Sequence, residues 1–496
     1  MTLPVLLVVM AFSAGILTVM ATWARMRSRP LPRRAALRLL PAALAACLLI
    51  AYISTAFPRR HRIYLDEDAY ANMALNVGAG HPGHTTVFNL PSAKHTMPFK
   101  WPVAFPVMAF PFLRWMGPEA GPTAFNTLCG MLTVLWMMAL AAAIGREPCA
   151  AIVAATLFAL QPVAIAWYSS GSSEPLSALV SLGALAAAWF AREQTKRNYW
   201  PAVSIILAGI ALHVRLENVL LLPPVLLLLR GAPRPFPRFT TGAAMVLAVA
   251  AAVHAVRHYA MLRSVYLANI PESSFSIGLF AGNLLSNLRF VWRHAATTGL
   301  LSLAALAAVL LRLRGTGASR TAGTLLLFPL LSSLLLLFYS VGQYDAPGES
   351  RFLLLIAPVL TAFVGAEIAS LRRLRFGRLG GCAAILVLAV LSRSWPATEA
   401  YLDQQWTTVA REHDTMLQWA AILPKNALVI SRMPYFWENL GFYADLPGHP
   451  PGPEARNLPI YFIFGLVSDP REWPPGKTPE RRVVTESGAI CLFRLN

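Results

Sequence analysis

The sequence predicts a polytopic α-helical membrane protein of about twelve transmembrane helices with a small C-terminal α/β domain on the outer face. Three observations predict it. Hydrophobic residues make up 56% of the 496 positions and charged residues only 13%, a balance far from that of a soluble domain. Apolar segments near the ~20 residues that cross a bilayer as helix recur along most of the chain. Arg-rich links interrupt them at alternate connections, which is how topology is written into membrane proteins.

The apolar segments run over 3–22, 39–57, 121–145, 149–168, 175–191, 199–213, 216–230, 240–259, 294–311, 321–341, 352–370 and 379–395. The basic links hold Arg25–Arg38, Arg192–Arg197, Arg230–Arg238, Arg312–Arg320 and Arg372–Arg378, each at an alternate connection. Val103–Met116 is apolar but short and carries Pro106 and Pro111. A crossing there would move every later basic link to the wrong side, so it reads as interfacial or as a lead-in to the next helix. The apolar opening and the basic stretch behind it read as an uncleaved first helix with its N-terminus outside.

The formal charge of +19 does not point to nucleic acid, because the basic residues sit in short clusters between apolar segments and form no single face. Five cysteines are too few and too scattered for a disulfide framework, and no zinc-ligand spacing occurs.

This topology divides the chain into a transmembrane domain over 1–395, with an outer loop at 58–102, and an extracytoplasmic domain over 396–496. In the latter, Ala427–Ser431, Pro459–Gly465 and Ala489–Phe493 read as strands, and a helix opens at Pro434. The absence of any Asn-x-Ser/Thr sequon and the Arg-heavy composition suggest a bacterial plasma (inner) membrane.

The outer side collects the polar groups that have no topological task. Asp66, Glu67 and Asp68 stand side by side in a chain that otherwise avoids carboxylates, with 23 acidic residues against 42 basic ones. Lys100 precedes Trp101-Pro102, Glu174 opens a crossing after Ser169-Ser-Gly-Ser-Ser173, Arg215 and Glu217 mark the outer junction of two crossings, and Asp345, Glu349 and Arg351 lie before a late one. Carboxylates beside cations at one membrane face suit a reaction on a lipid phosphate: a carboxylate takes the acceptor proton while Arg or Lys neutralises the leaving phosphate. Plainer readings exist for each. Asp66–Asp68 can serve a helix first turn at Tyr70–Val77, with Asp68 as its cap. Lys100 can snorkel beside Trp101, Glu174 can offset a helix dipole, and Arg215 with Glu217 can tie two helix ends together. His81, His84 and His95 match no closed metal-site motif.

Asp66-Glu67-x-x-Tyr70-x-x-x-Ala74 resembles the Asp-Glu-x-x-Tyr signature in the first outer loop of GT-C glycosyltransferases, in particular the polyprenyl-phosphate-sugar-dependent group of protein mannosyltransferases and lipid A aminoarabinose transferases (family 39 type). Phe99-Lys100-Trp101-Pro102, Ser173-Glu174-Pro175-Leu176, Arg215-Leu-Glu217, Glu349-Ser-Arg351-Phe352 and Leu423-Pro424 through Ile430 extend the resemblance over the whole chain. It implies an inverting enzyme that moves a sugar from a polyprenyl-phosphate donor to a lipid, glycan or protein acceptor. Carried over by position, Asp66 is the catalytic base with Glu67 in support and Glu174 the second acid. Lys100, Arg351 and Arg215 hold the donor phosphate, and Tyr70 packs behind the loop among the substrate-binding positions. Asp68 is an acid the pattern does not need, Glu174 stands where Asp is common, and Trp101 separates Lys100 from Pro102. No cofactor is assigned; a divalent metal ion stays an open alternative, with no ligands named. Expected partners are the lipid donor, its acceptor and membrane lipids. A transporter or flippase of lipid-linked saccharides, or a non-enzymatic assembly protein, are the rival classes.

Overall fold

The computed structural model describes, with short gaps, residues 66–232, 275–293, 323–373 and 409–495. The apolar segments 3–22, 39–57, 240–259, 294–311 and 379–395, together with Lys100 and Asp345, lie outside the described residues.

Most of the described helices fall on the apolar segments, but Asp66–Gly78 and Phe280–Arg293 do not. The helices are α1 Asp66–Gly78, α2 Ala104–Gly145, α3 Pro148–Ala159, α4 Glu174–Glu193, α5 Trp200–Val214, α6 Leu222–Arg230, α7 Phe280–Arg293, α8 Leu327–Leu337 and α9 Leu353–Arg373. Three stretches, Ala104–Gly145, Glu174–Glu193 and Ser350–Ala369, are long and apolar enough to cross a membrane; Trp200–Val214 and Gly323–Leu337 are shorter apolar helices. Residues 104–116 are the first part of α2, divided from the rest by one non-helical residue, Gly117, at φ 83° and ψ 168°. Only glycine takes that conformation cheaply, and Pro118 directly behind it restarts a helix with φ already set.

The chain divides into two compact units. One includes Asn126–Ser169 and Ser173–Ala400. Its helices pack on small residues: a Cβ added at Gly365 would lie 2.8 Å from the Ala150 carbonyl, and one at Gly145 would lie 3.2 Å from Ala366 Cα. Such close backbone approach is the usual way helices associate where the surroundings are themselves apolar. Trp200 fills the space beside α2 and α4, its ring 6.5 Å from Trp136 and 5.0 Å from Phe190.

The other unit joins Arg59–Phe125, Ser170–Ser172 and Tyr401–Asn496. Its sheet has the order β4-β3-β5-β7-β6, built from β3 Leu428–Ile430, β4 Tyr443–Asp445, β5 Ile460–Phe464, β6 Arg481–Thr485 and β7 Gly488–Arg494. β4, β3 and β5 run parallel, while β7 and β6 close the sheet antiparallel. A parallel step needs a crossover, and the short helix Pro434–Asn439 (α11) supplies it between β3 and β4. Helix 409–420 (α10) covers one face through Met416, Trp419 and Ala420, which pack with Val429, Phe436, Trp437 and Ile463. The three strands and the helix expected in the tail are present; β4, β6 and α10 were not foreseen.

In the same unit, a hairpin of β1 His84–Leu90 and β2 Ala93–Pro98 follows α1. The Thr86 backbone N–H donates to Asn72 Oδ1 at 2.8 Å, and Asn76 Nδ2 donates to Thr86 Oγ1 at 3.1 Å, so two asparagines one turn apart bind helix to hairpin. Opposite them, Asn72 Nδ2 donates to Glu438 Oε2 and Asn439 Oδ1, both at 3.3 Å, and Asn439 Nδ2 donates to the Asp68 carbonyl at 2.9 Å. The beginning of α1 is thereby pinned from both sides.

Candidate active site

Helix α1 begins at Asp66, four residues ahead of the expected Tyr70 start, so all three acids occupy its first turn. Acidic residues there oppose the positive end of the helix dipole and suit the exposed N–H groups of the first turn. Their surroundings differ. Asp66 is partly exposed, whereas Glu67 and Asp68 are 3% and 1% exposed. Glu67 Oε1 accepts a hydrogen bond from the Gly171 backbone N–H at 2.9 Å. A Cβ on Gly171 would meet the Cβ atoms of Glu67 and Pro122, each at 3.3 Å, so this close approach favours glycine. Asp68 is not a cap. It is the third residue of the helix, and its carboxylate turns inward toward Glu119 and His413. Tyr70 is buried with its ring edge-on to Phe105 at 5.0 Å, and Phe105 in turn meets Phe125 at 5.8 Å.

A second polar cluster lies in the helical unit. Glu174, 1% exposed in the first turn of α4, receives ion pairs from Arg215 and, at 3.1 Å, from Arg351 Nε. Arg215 Nη2 reaches Glu217 Oε1 at 2.9 Å. Both guanidinium groups also lie over the Phe352 ring, 5.1 and 5.2 Å from its centre. Two cations and two carboxylates thus form one partly buried network around Glu174 rather than isolated helix-end charges.

Local sequence explains this placement. Arg215 takes an extended conformation that ends α5, and Leu216–Leu221 forms a 3₁₀ turn ahead of α6. Asn218 holds that turn, donating to Ser177 Oγ at 2.7 Å and to the Ala211 carbonyl at 2.8 Å, while Ser181 Oγ donates to Asn218 Oδ1 at 3.3 Å. Trp167 Nε1 donates to Ser350 Oγ at 3.2 Å and fixes the residue before Arg351. At the Glu217 junction burial pushes the carboxyl pKa up, but the charge and hydrogen bonds of Arg215, with Arg351 behind, outweigh it and hold the value below the ordinary 4.5.

Of the residues singled out in the sequence, Glu174, Arg215, Glu217 and Arg351 meet in one unit, and Asp66, Glu67, Asp68 and Tyr70 share one turn of helix in the other. Phe352, Asn218 and Gly171 were missed. Phe352 stood beside a selected arginine, and Gly171 stood in the Ser-rich loop already noted. Glu119 and His413 were also missed, since nothing in the spacing links them to Asp68.

No protein-family model and no curated protein matches the sequence. Similarity appears in the fold, which is that of the GT-C membrane glycosyltransferases. ArnT from Cupriavidus metallidurans in the apo state superposes with a TM-score of 0.59 at 13% identity, covering 93% of this chain and 98% of that one. The same protein bound to undecaprenyl phosphate gives 0.57 at 12% identity, over 92% and 97% of the two chains. An Archaeoglobus fulgidus oligosaccharyltransferase in complex with Zn and sulfate gives 0.52 at 14% identity, over 85% and 67%.

Proposed function

We propose that this protein is an integral-membrane inverting glycosyltransferase that moves a sugar from a polyprenyl-phosphate donor to a lipid, glycan or protein acceptor on the outer face of a bacterial plasma membrane. The observation that carries this reading is the division of labour in the first turn of α1. Glu67 is spent on Gly171 and Asp68 turns inward, which leaves Asp66 as the acid of the triplet that a substrate reaches. The fold gives support by analogy, because ArnT binds undecaprenyl phosphate on the same architecture.

In the proposed reaction, Asp66 accepts the proton of the acceptor hydroxyl or amine as that atom attacks the anomeric carbon. The bond from the anomeric carbon to the phosphate oxygen breaks, and polyprenyl phosphate leaves with the electron pair. Arg351 and Arg215, with Lys100, bind the donor phosphate and offset the charge that develops on it. Glu174 orients the two arginines: one buried carboxylate held by both guanidinium groups fixes their planes before any phosphate arrives. Tyr70 supports the α1 turn from behind. The membrane domain over 1–395 with about twelve crossings and the extracytoplasmic tail over 396–496 complete the proposal.

A transporter would place its ionisable residues near mid-membrane at interrupted helices. The network here sits at helix ends, in the first turn of α4, the C-cap of α5 and the turn before α9, which favours the enzyme. The test is mass spectrometry of envelope glycans and glycolipids from cells with and without the protein. A sugar substituent lost on deletion and restored by the intact gene is the expected result. Identical profiles would rule the reading out.

A further inference from the structure

We propose that Asp68, Glu119 and His413 form a divalent metal site of the zinc class that fastens the first turn of α1 to the α2 break and to helix α10. The residues come from three separate segments, and a ligand atom from each lies within 4.8 Å of the others. Asp68 is 1% exposed and His413 2%, while Glu119 is 34% exposed and gives an ion a way in. His413 Nε2 and Glu119 Oε2 are 3.3 Å apart. Bonds of about 2.0–2.1 Å from a tetrahedral Zn²⁺ to nitrogen and oxygen set ligand atoms roughly 3.3 Å apart, so this pair already spans one edge of the polyhedron.

Two carboxylates and one imidazole converge on one point, a donor set whose two negative charges a divalent ion balances. The donor set selects the ion. One imidazole and two carboxylates leave a fourth position for water, which suits Zn²⁺, whereas Mg²⁺ prefers oxygen ligands alone. The scaffold is built to hold the ligands in place. Gly117 turns the chain so that Glu119 faces the cluster, the His413 ring meets Phe436 edge-on at 4.9 Å, and Asn439 holds the Asp68 carbonyl. The site concerns assembly of this unit and does not depend on the glycosyltransferase reading.

The experiment uses the full chain purified in detergent. Elemental analysis is expected to give about one zinc per chain after dialysis, with the metal removed by chelator and restored by added Zn²⁺. The melting midpoint should fall on chelation and recover with Zn²⁺, with Mn²⁺ weaker and Mg²⁺ without effect. Both His413→Ala and the partly exposed Glu119→Gln should lose the zinc and its stabilisation, and zinc-edge absorption of the native protein should report one imidazole among oxygen ligands. Zinc at background level with a midpoint indifferent to it overturns the proposal. So does full zinc retention in both variants, or Mg²⁺ alone restoring the midpoint.

Discussion

Asp66 and Glu67 are neighbours of like charge to which we assign unlike work. Asp66→Asn is expected to lower transfer at least about 100-fold, the usual scale of losing a general base, with the protein still folded and in the membrane. Glu67→Gln retains an oxygen that can accept from the Gly171 N–H and should keep most activity, while Glu67→Ala leaves that buried N–H unsatisfied and should cost about 1–3 kcal/mol of stability. Comparing melting midpoint with turnover for the three variants separates base from support. At Arg351, a change to Ala removes one guanidinium from Glu174 and from the donor phosphate together. If the phosphate role is right, the KM for the lipid donor rises more than kcat falls, and Lys restores charge without the fixed planar geometry. The surroundings of these residues were only partly legible in the sequence. A carboxylate is visible as a letter, but its division of labour depends on Gly171, about a hundred positions away, and on the inward turn of Asp68. Motif spacing carries no information on either.

The elements themselves were easier to read. Long apolar runs such as 175–191 and 352–370 announced α4 and α9 because burying a helix in an apolar phase demands an apolar surface on every side. Short elements hid. β4 and β6 have few residues and take their stability from neighbouring strands, and α1 starts at Asp66, ahead of the Tyr70 start that the sequence suggested. Two expectations belong at this scale. Gly117→Val should destabilise the α2 break by about 1–2 kcal/mol, since a β-branched residue at positive φ is strained, and a lowered melting midpoint would register it. The turn carrying Glu217 gives a pH dependence. A carboxyl held below its ordinary pKa in the folded state adds stability above pH 4.5, and that contribution disappears as pH drops below 4.5 through the lowered value. Glu217→Gln should therefore flatten the acid limb of the stability profile, measured as melting midpoint against pH; an unchanged limb would remove Glu217 from the account.

For the whole molecule, the fold class was legible because composition and basic links are global properties, whereas the joining of 59–125 with the tail into one unit was not, since it rests on tertiary contacts between segments far apart in sequence. Topology makes a direct prediction. A cysteine placed at the exposed Thr478 should react with an impermeant maleimide added to intact cells, and one at Lys196 in a basic link should react only after permeabilisation. The opposite pattern would invert the proposed orientation and remove the acids from the outer face. Function draws on both scales, since the fold permits many acceptors and only the site restricts the chemistry. The most direct test of the central claim is transfer of a radiolabelled sugar from synthetic polyprenyl-phosphate donors to envelope extract by the purified protein, run beside Asp66→Asn. The account predicts labelled product with the native protein, none above background with the variant, and equal melting midpoints for the two. Equal label from both proteins would contradict it.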